Sequence, residues 1–556
     1  MVLEFKWLRL VLAALLVIGL TTDPIRADDL SLHARIDRAI AAKAKQPIAK
    51  QTTDPEFVRR IYLDFAGRIP SAAEARAFIA DKDQAKRAKL IDQLLAGSEY
   101  PRRMQQVITV WLLERRPGQS VADPDWNAYV QRAVAANTPW DVLIRDLIAA
   151  DGSDAKHRPA IRFFADGNRN DSHQLTKDIG RIFLGMNLNC CQCHDDPNVD
   201  DFKQSDYFGI YTFVRNTQVK TDKAQKPFLV ESLALDKQEF QSVFTGVKKS
   251  TGPRLPNSKE IDIPKFDKGQ ELASPPRDGL PGTPKFRPRA LLAAQMATPA
   301  NARFARSSVN YFWFMLMGRG LVHPLDMMHA ANPPSHPEVL DALADEFVKK
   351  GFDLKHILRE IALSEAYQRS SVLPEGLEPA SVQPQDYRVA IPRPLAAEQL
   401  AFSAMQATGQ LDRIIAAPTP KESKFTYKDY INGRVPPPDN LPNVLEVFGA
   451  TFGSPPGTPE VDFAPSTSQA LFLMNDKLIM HWLDPKGVNL VTEMVKQPNA
   501  ALVAEDLYQR VLTRKPSEEE IAIVSSYLKK HPTRRSEALS EFAWALLTSA
   551  EFRFNH

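Results

Sequence analysis

All three cysteines of the 556-residue chain fall inside Cys190-Cys191-Gln192-Cys193-His194. The outer two, with the histidine, satisfy Cys-x-x-Cys-His, the pattern of covalent c-type haem attachment. Two thiols three residues apart on a helical turn can each add to a haem vinyl group, and the imidazole next in the chain is then placed at the iron. Cysteines that staple an exported protein are spread along the chain, because closing long loops is what gives a disulfide its effect. Clustering points instead to chemistry. Cys190, Cys193 and His194 are therefore the candidate cofactor-binding residues, with His194 as the metal ligand and haem c as the expected cofactor. Zinc is the alternative, but ligands from one short run fit a tetrahedron poorly, so Asp195, Asp196 or a distant residue would have to complete it. A Cys-x-x-Cys redox pair would need a thioredoxin-like strand and helix order that is not evident here. An incidental cluster or a local disulfide is the plainest reading left. The expected function is thus an exported c-type haem protein in electron transfer or redox chemistry, and the alternative is an exported binding or interaction module whose cysteine cluster is structural or holds another metal such as zinc.

A haem iron needs a methionine, a histidine or nothing in its sixth position. Met186 and His173 are nearest in sequence, and His323, His329 and His336 are distant candidates. An open position would allow catalysis or ligand sensing, a closed one electron transfer. No hydrolase triad can be nominated from isolated serines, histidines and acids, so no catalytic residue is assigned.

The compartment fits the motif. Lys6 and Arg9 precede an apolar run over residues 10–20, and a polar stretch ends in Ile25-Arg26-Ala27. This is the layout of a secretory signal peptide over residues 1–27, which delivers the chain to the periplasm or cell-envelope space, where haem c is attached. The apolar run is shorter than the ~20 residues that span a bilayer, so an uncleaved anchor is the lesser alternative. With 70 basic against 67 acidic residues, no field favours a polyanion, and a nucleic-acid partner is not expected. The expected partner is a redox protein such as another exported cytochrome, with no transmembrane anchor after signal cleavage.

The elements that must position the motif read as a mainly α, multi-domain protein. The length suggests roughly three or four folded units. Residues 28–218 read as a helical domain carrying the cysteine motif, 219–288 as a linker with a small β element, and 289–556 as a C-terminal helical domain. Ser71 and Glu74 have capping-box spacing after Ile69-Pro70, a further helix is expected over about 85–95, and another begins after Pro139. The C-terminus reuses this unit: Tyr508, Arg514, Pro516, Ser517 and Glu520 repeat the spacing of Tyr62, Arg68, Pro70, Ser71 and Glu74. Both copies then run to a similar phrase, Gly97-Ser98-Glu99-Tyr100 in one and Thr548-Ser549-Ala550-Glu551-Phe552 in the other. In the middle, Phe228-Leu229-Val230 and Ile261-Asp262-Ile263 read as short strands. Asn332-Pro333-Pro334-Ser335 reads as stopping one helix and capping the next, with Pro337 and Glu338 in its first turn. Arg306, Asn310, Arg319 and Asp326 could line a ligand pocket, although a buried ion-pair network is the favoured reading.

Arg181-Ile182-Phe183-Leu184-Gly185, the cysteine run continuing to Asp195-Asp196-Pro197, and Asp206-Tyr207-Phe208-Gly209 together carry a resemblance. They look like the cytochrome-associated domain of unknown function found in exported planctomycete proteins. Asn301-Ala302-Arg303-Phe304, Asn310-Tyr311-Phe312-Trp313, Gly318-Arg319-Gly320-Leu321-Val322 and Asn332-Pro333-Pro334-Ser335-His336-Pro337-Glu338 resemble its partner domain, also of unknown function. The resemblance covers nearly the whole mature chain. It implies an exported two-domain protein, sometimes found with a further cytochrome c domain. That family usually reads Cys-Ala-Gln-Cys-His-Asp-His-Pro; here Cys191 stands for the alanine and Asp196 for the second histidine. The change weakens any site needing two imidazoles and leaves the haem pattern intact.

Overall fold

A computed structural model describes residues 30–44, 47–166, 169, 171–277, 279–418, 425–461 and 465–556. The signal-peptide reading of residues 1–27 lies outside the described residues. Helices α1 (Leu32–Lys43), α2 (Asp54–Phe65), α3 (Ala72–Ala80), α4 (Lys86–Ala96) and α5 (Glu99–Leu113) come first. Next are α6 (Asp123–Ala135), α7 (Trp140–Ala149), α8 (Ser172–Leu184) and, beyond the cysteine turn, α9 (Gln204–Val214). After a β segment the chain continues through α10 (Pro288–Met296), α11 (Ala302–Met317), α12 (Pro337–Lys349) and α13 (Leu354–Leu363). The last third holds α14 (Ala397–Thr408), α15 (Leu441–Phe452), α16 (Ala500–Leu512), α17 (Glu518–Lys530) and α18 (Arg535–Thr548), with shorter helices between. The protein is mainly α, as its periodicity predicts.

The repeated unit is built twice with the same chemistry. The Ser71 hydroxyl accepts the Glu74 N–H at 3.2 Å while the Glu74 carboxylate accepts the Ser71 N–H at 2.7 Å. Ser517 and Glu520 do the same at 3.1 and 2.7 Å, so each cap satisfies two donors that a helix start leaves bare.

Two hydrophobic cores organise the helices. One gathers side chains from α1 through α13, on both sides of the β segment; the other gathers those from residue 395 onward. Helix α2 belongs to both: Phe57, Val58, Ile61 and Phe65 enter the first core and Leu63 the second. Each fully buried side chain of this size contributes about 1.5–3 kcal/mol, so α2 fastens the two lobes through burial alone. Asp64, also on α2, adds a polar fastening. Its carboxylate takes both Arg393 (2.8 and 3.0 Å) and the Tyr367 hydroxyl (2.8 Å), and it accepts the Asn555 amide at 3.1 Å. Arg393 and Asn555 face one another across the antiparallel pair β7 (Arg393–Pro394) and β8 (Phe554–Asn555).

The middle segment is more ordered than a linker. It forms three antiparallel pairs: β1 (Thr217–Thr221) with β2 (Pro227–Glu231), β3 (Gln238–Gln241) with β4 (Lys248–Thr251), and β5 (Leu272–Ser274) with β6 (Thr283–Pro284). Strand β2 contains the predicted Phe228–Val230. Residues 261–263 form no strand; Ile261 donates to the Pro253 carbonyl at 2.8 Å, and Pro264 comes next with no N–H to continue a ladder. The Asn332-Pro333-Pro334-Ser335 run also differs from its reading. Helix α11 has already ended at Gly318, in the left-handed conformation, and His336 rather than Ser335 precedes α12. Pro337 does open α12, where its missing N–H costs nothing.

Candidate functional site

Helix α8 delivers the cysteine turn. Gly185 ends it at φ +62°, and the Met186 N–H folds back onto the Gly180 carbonyl at 2.9 Å. Gly180 makes room for that return: a Cβ there would lie 2.9 Å from Leu188 Cδ1 and 3.1 Å from the Met186 carbonyl oxygen. The chain then winds into a 3-10 turn, Cys190–Gln192, whose Cys190 carbonyl accepts the N–H groups of Cys193 (3.1 Å) and His194 (3.3 Å). The turn buries Cys191 completely and leaves Cys190 and Cys193 exposed, with no disulfide among them.

The residues just beyond the turn hold it in place. The Asp195 carboxylate accepts the Gln204 N–H at 2.8 Å, and Asp196 Oδ1 accepts those of Asn198 and Val199 at 2.9 and 3.0 Å. The Gln204 amide reaches the carbonyls of Gln192 (3.4 Å) and Gln241 (3.2 Å), and the Cys193 carbonyl accepts the Val243 N–H at 3.0 Å. The β3–β4 hairpin is thereby tied to the turn. Its tip is apolar and open to solvent, with Val243 67%, Phe244 76% and Val247 53% exposed. The Phe244 ring lies 4.5 Å from the His194 ring.

His194 Nδ1 sits 2.6 Å from the Asp195 carbonyl oxygen. A carbonyl only accepts, so Nδ1 is the donor, and in the neutral ring Nε2 is then the nitrogen open to a metal. Burial, then the Asp196 carboxylate, pushes the Cys191 thiol up to about 12. Cys190 is raised too, by lost solvent and by the same carboxylate. Both shifts favour the protonated thiol at Cys190 and Cys191. Among the described residues no three His, Cys, Asp or Glu side chains converge to hold a metal ion. Haem asks for less: two reachable thiols, one imidazole with a free Nε2 and apolar cover. Cys190, Cys193, His194 and the hairpin tip fit those requirements.

The five axial candidates are placed differently. Met186 is buried, and His336 is buried with its imidazole held down to about 4 by burial and by Lys43. His173 bonds the Tyr207 hydroxyl at 2.7 Å and stacks on Tyr211, both on α9, the helix packed against the turn. His323 stacks on Phe314. His329 sets its ring edge-on at 5.5 Å to Phe202, which lies in the loop after the cysteines.

The polar residues of the second domain divide as well. Asn310 is structural: its amide donates to the Val322 carbonyl at 2.9 Å and its carbonyl accepts the Val322 N–H at 3.0 Å. Arg306 pairs with Asp341 in a half-exposed position, and the Arg319 carbonyl accepts the Tyr387 hydroxyl at 3.2 Å. Asp326 touches the cysteine segment, since Asn187 donates its backbone N–H to the Asp326 carbonyl (2.8 Å) and its amide to the carboxylate (2.9 Å).

The buried ion-pair network lies elsewhere. Glu114 and Asp178 are surrounded by Arg116, Arg169 and Arg181, and although burial raises a carboxyl, the three guanidinium groups together hold Asp178 at about 2. Its members are scattered from 114 to 181 with no periodic spacing, so no sequence signal marks them.

Two family models match. Residues 35–219 match PSCyt2, a protein of unknown function (DUF1549), and residues 288–528 match PSD1, a protein of unknown function (DUF1553). No curated protein and no solved structure matches the chain. The cysteine turn lies in the first match, and the loop bearing Asp326 and His329, which packs on it, lies in the second. The chain therefore carries a DUF1549 domain followed by a DUF1553 domain.

Proposed function

We propose that the chain is an exported c-type haem protein that transfers electrons, with Cys190 and Cys193 as thioether anchors and His194 as the proximal ligand. The observation that carries this reading is the hydrogen bond from His194 Nδ1 to the Asp195 carbonyl, which leaves Nε2 as the ring nitrogen available to iron. Two further features support it. Cys190 and Cys193 are both exposed, and the exposed Phe244 ring lies beside His194 on a hairpin tip that also exposes Val243 and Val247.

Each thiol would add its S–H across a vinyl double bond, forming one carbon–sulfur bond and leaving the hydrogen on the neighbouring carbon, with no oxidant consumed. When bound, haem supplies a one-electron couple. Residues 1–27 would take the chain to the compartment where attachment occurs, and another exported cytochrome is the partner that suits such a couple. The test is expression through an export and haem c maturation route. A Soret band and a haem-sized mass on the peptide containing Cys190 and Cys193 are expected, with Cys193→Ala losing one thioether. An unmodified peptide and no Soret band overturn the proposal, and stoichiometric zinc in that sample would favour the zinc reading.

A further inference from the structure

A second site lies where the two family domains meet. A cavity of about 90 Å³ is walled by Val110, Trp111 and Ile182 from the first domain and by Tyr311 and Leu325 from the second, with Val461 closing one side. Tyr311 stacks on Trp111 at 3.7 Å, and Trp111 stacks in turn on Trp140 at 5.2 Å, so this aromatic wall is rigid.

Four charged side chains line the cavity, and three are neutralised within the protein. Glu114 pairs with Arg116 at 2.7 Å and with Arg181; Arg181 also pairs with Asp178 at 3.0 Å; Glu460 is held by Arg115. Asp326 is the exception. Its carboxylate takes the Asn187 amide, but no cation pairs with it among the described residues. The hydroxyls of Ser307 and Tyr311 line the same space and make no hydrogen bond among the described residues, although Ser307 is only 5% exposed. Asp326 is only partly buried, so its carboxylate is open to a cation entering the cavity.

We propose that this cavity binds a small organic ammonium ion, an amine carrying a compact apolar body. An ammonium group has three donors and no acceptor, and the site offers three acceptors, Asp326 and the two hydroxyls. The electron-rich ring of Tyr311 adds attraction for a cation, and the aliphatic wall receives the body. An enclosed apolar cavity of about 150 Å³ takes benzene, so this smaller one suits a ligand of about four to six heavy atoms. Because Asp326 also holds Asn187, just before the cysteine turn, the ligand would touch the same carboxylate that steadies that loop. The inference does not depend on haem being attached.

The test is titration of the full chain with n-butylammonium, read by calorimetry and by fluorescence from the tryptophan in the wall. Saturable binding is expected, with 1-butanol and butyrate at least tenfold weaker. Asp326→Asn should weaken butylammonium at least tenfold, and Ser307→Ala and Tyr311→Phe by severalfold each while keeping the native melting transition. The two single-acceptor variants decide the matter if Asp326→Asn does not fold. No saturable binding, equal binding of butanol, a preference for butyrate, or unchanged affinity in the variants that fold overturns the proposal.

Discussion

Arg514 is the counterpart of Arg68, and each guanidinium joins the two ends of its own repeat. Arg68 donates to Glu74 at 2.8 and 2.9 Å and to Glu99 at 2.8 and 2.9 Å. Arg514 donates to Glu520 at 2.8 Å twice and to Glu551 at 2.6 and 2.9 Å. The arginine also lies over the ring of Tyr62 in one copy and Tyr508 in the other. The two forks differ in burial, with 10% of the Arg68 side chain exposed against 33% of Arg514. Arg68→Ala should therefore cost about 2–4 kcal/mol and Arg514→Ala about 1 kcal/mol. Lysine should rescue neither, because it lacks the planar fork. Urea unfolding midpoints of the four variants check both statements.

His336 should make stability pH-dependent in a mildly acidic window. Burial, then Lys43, lowers its imidazole from 6.5 to about 4, against the opposing pull of Asp386. An unfolded chain takes up this proton below pH 6.5, while the folded chain does not until about pH 4. Stability is thus fully present above 6.5 and falls as the pH drops toward 4, by about 3 kcal/mol for this group. His336→Phe should flatten that part of a plot of urea midpoint against pH. An unchanged slope would show that other groups set it.

The three thiols should differ in reactivity in haem-free protein. Cys190 and Cys193 are exposed, whereas Cys191 is fully buried with its thiol raised to about 12. Iodoacetamide should label the outer two in native protein and all three after denaturation, as read by peptide mass. Equal labelling of Cys191 under native conditions would mean that the turn opens freely.

Gly180→Ala should loosen that same turn. The added methyl would press on Leu188 and on the Met186 carbonyl, and Leu188 supplies the carbonyl that accepts the Cys191 N–H at 3.1 Å. A cost of about 1–3 kcal/mol is expected from such overpacking. Faster native labelling of Cys191 would place the disturbance at the turn, and an unchanged rate would place it elsewhere.

Local chemistry is legible in the sequence, and long-range assembly is not. Ser71 with Glu74 and Ser517 with Glu520 announce their caps because a capping box is complete within four residues. Cys190, Cys193 and His194 announce a turn for the same reason. The β3–β4 hairpin that brings Phe244 to His194 has no comparable signature, since Gln238-Glu239-Phe240-Gln241 is polar at its edges and its pairing is made across a loop. Ile261-Asp262-Ile263 alternates as a strand should and yet is not one, because Pro264 and the absence of a partner among the described residues outweigh β propensity. Asp326 stands out in the sequence as a polar residue in apolar company, but its neighbour Asn187 lies 139 positions away, a relation that no single-chain periodicity contains.

The Asn555 bond to Asp64 spans 491 residues, with consequences for how this molecule reaches its native state. Helix α2 emerges early in synthesis, yet Leu63 finds its core and Asp64 its full set of partners only after the closing strand β8 has been made. Contacts of such sequence separation must wait for an entropically demanding closure, so maturation is slow compared with that of a chain folding one domain at a time. The first lobe cannot be finished as it leaves the ribosome. Until β8 docks, α2 carries an apolar edge and a carboxylate without its full set of partners, the kind of incomplete surface that favours aggregation over folding.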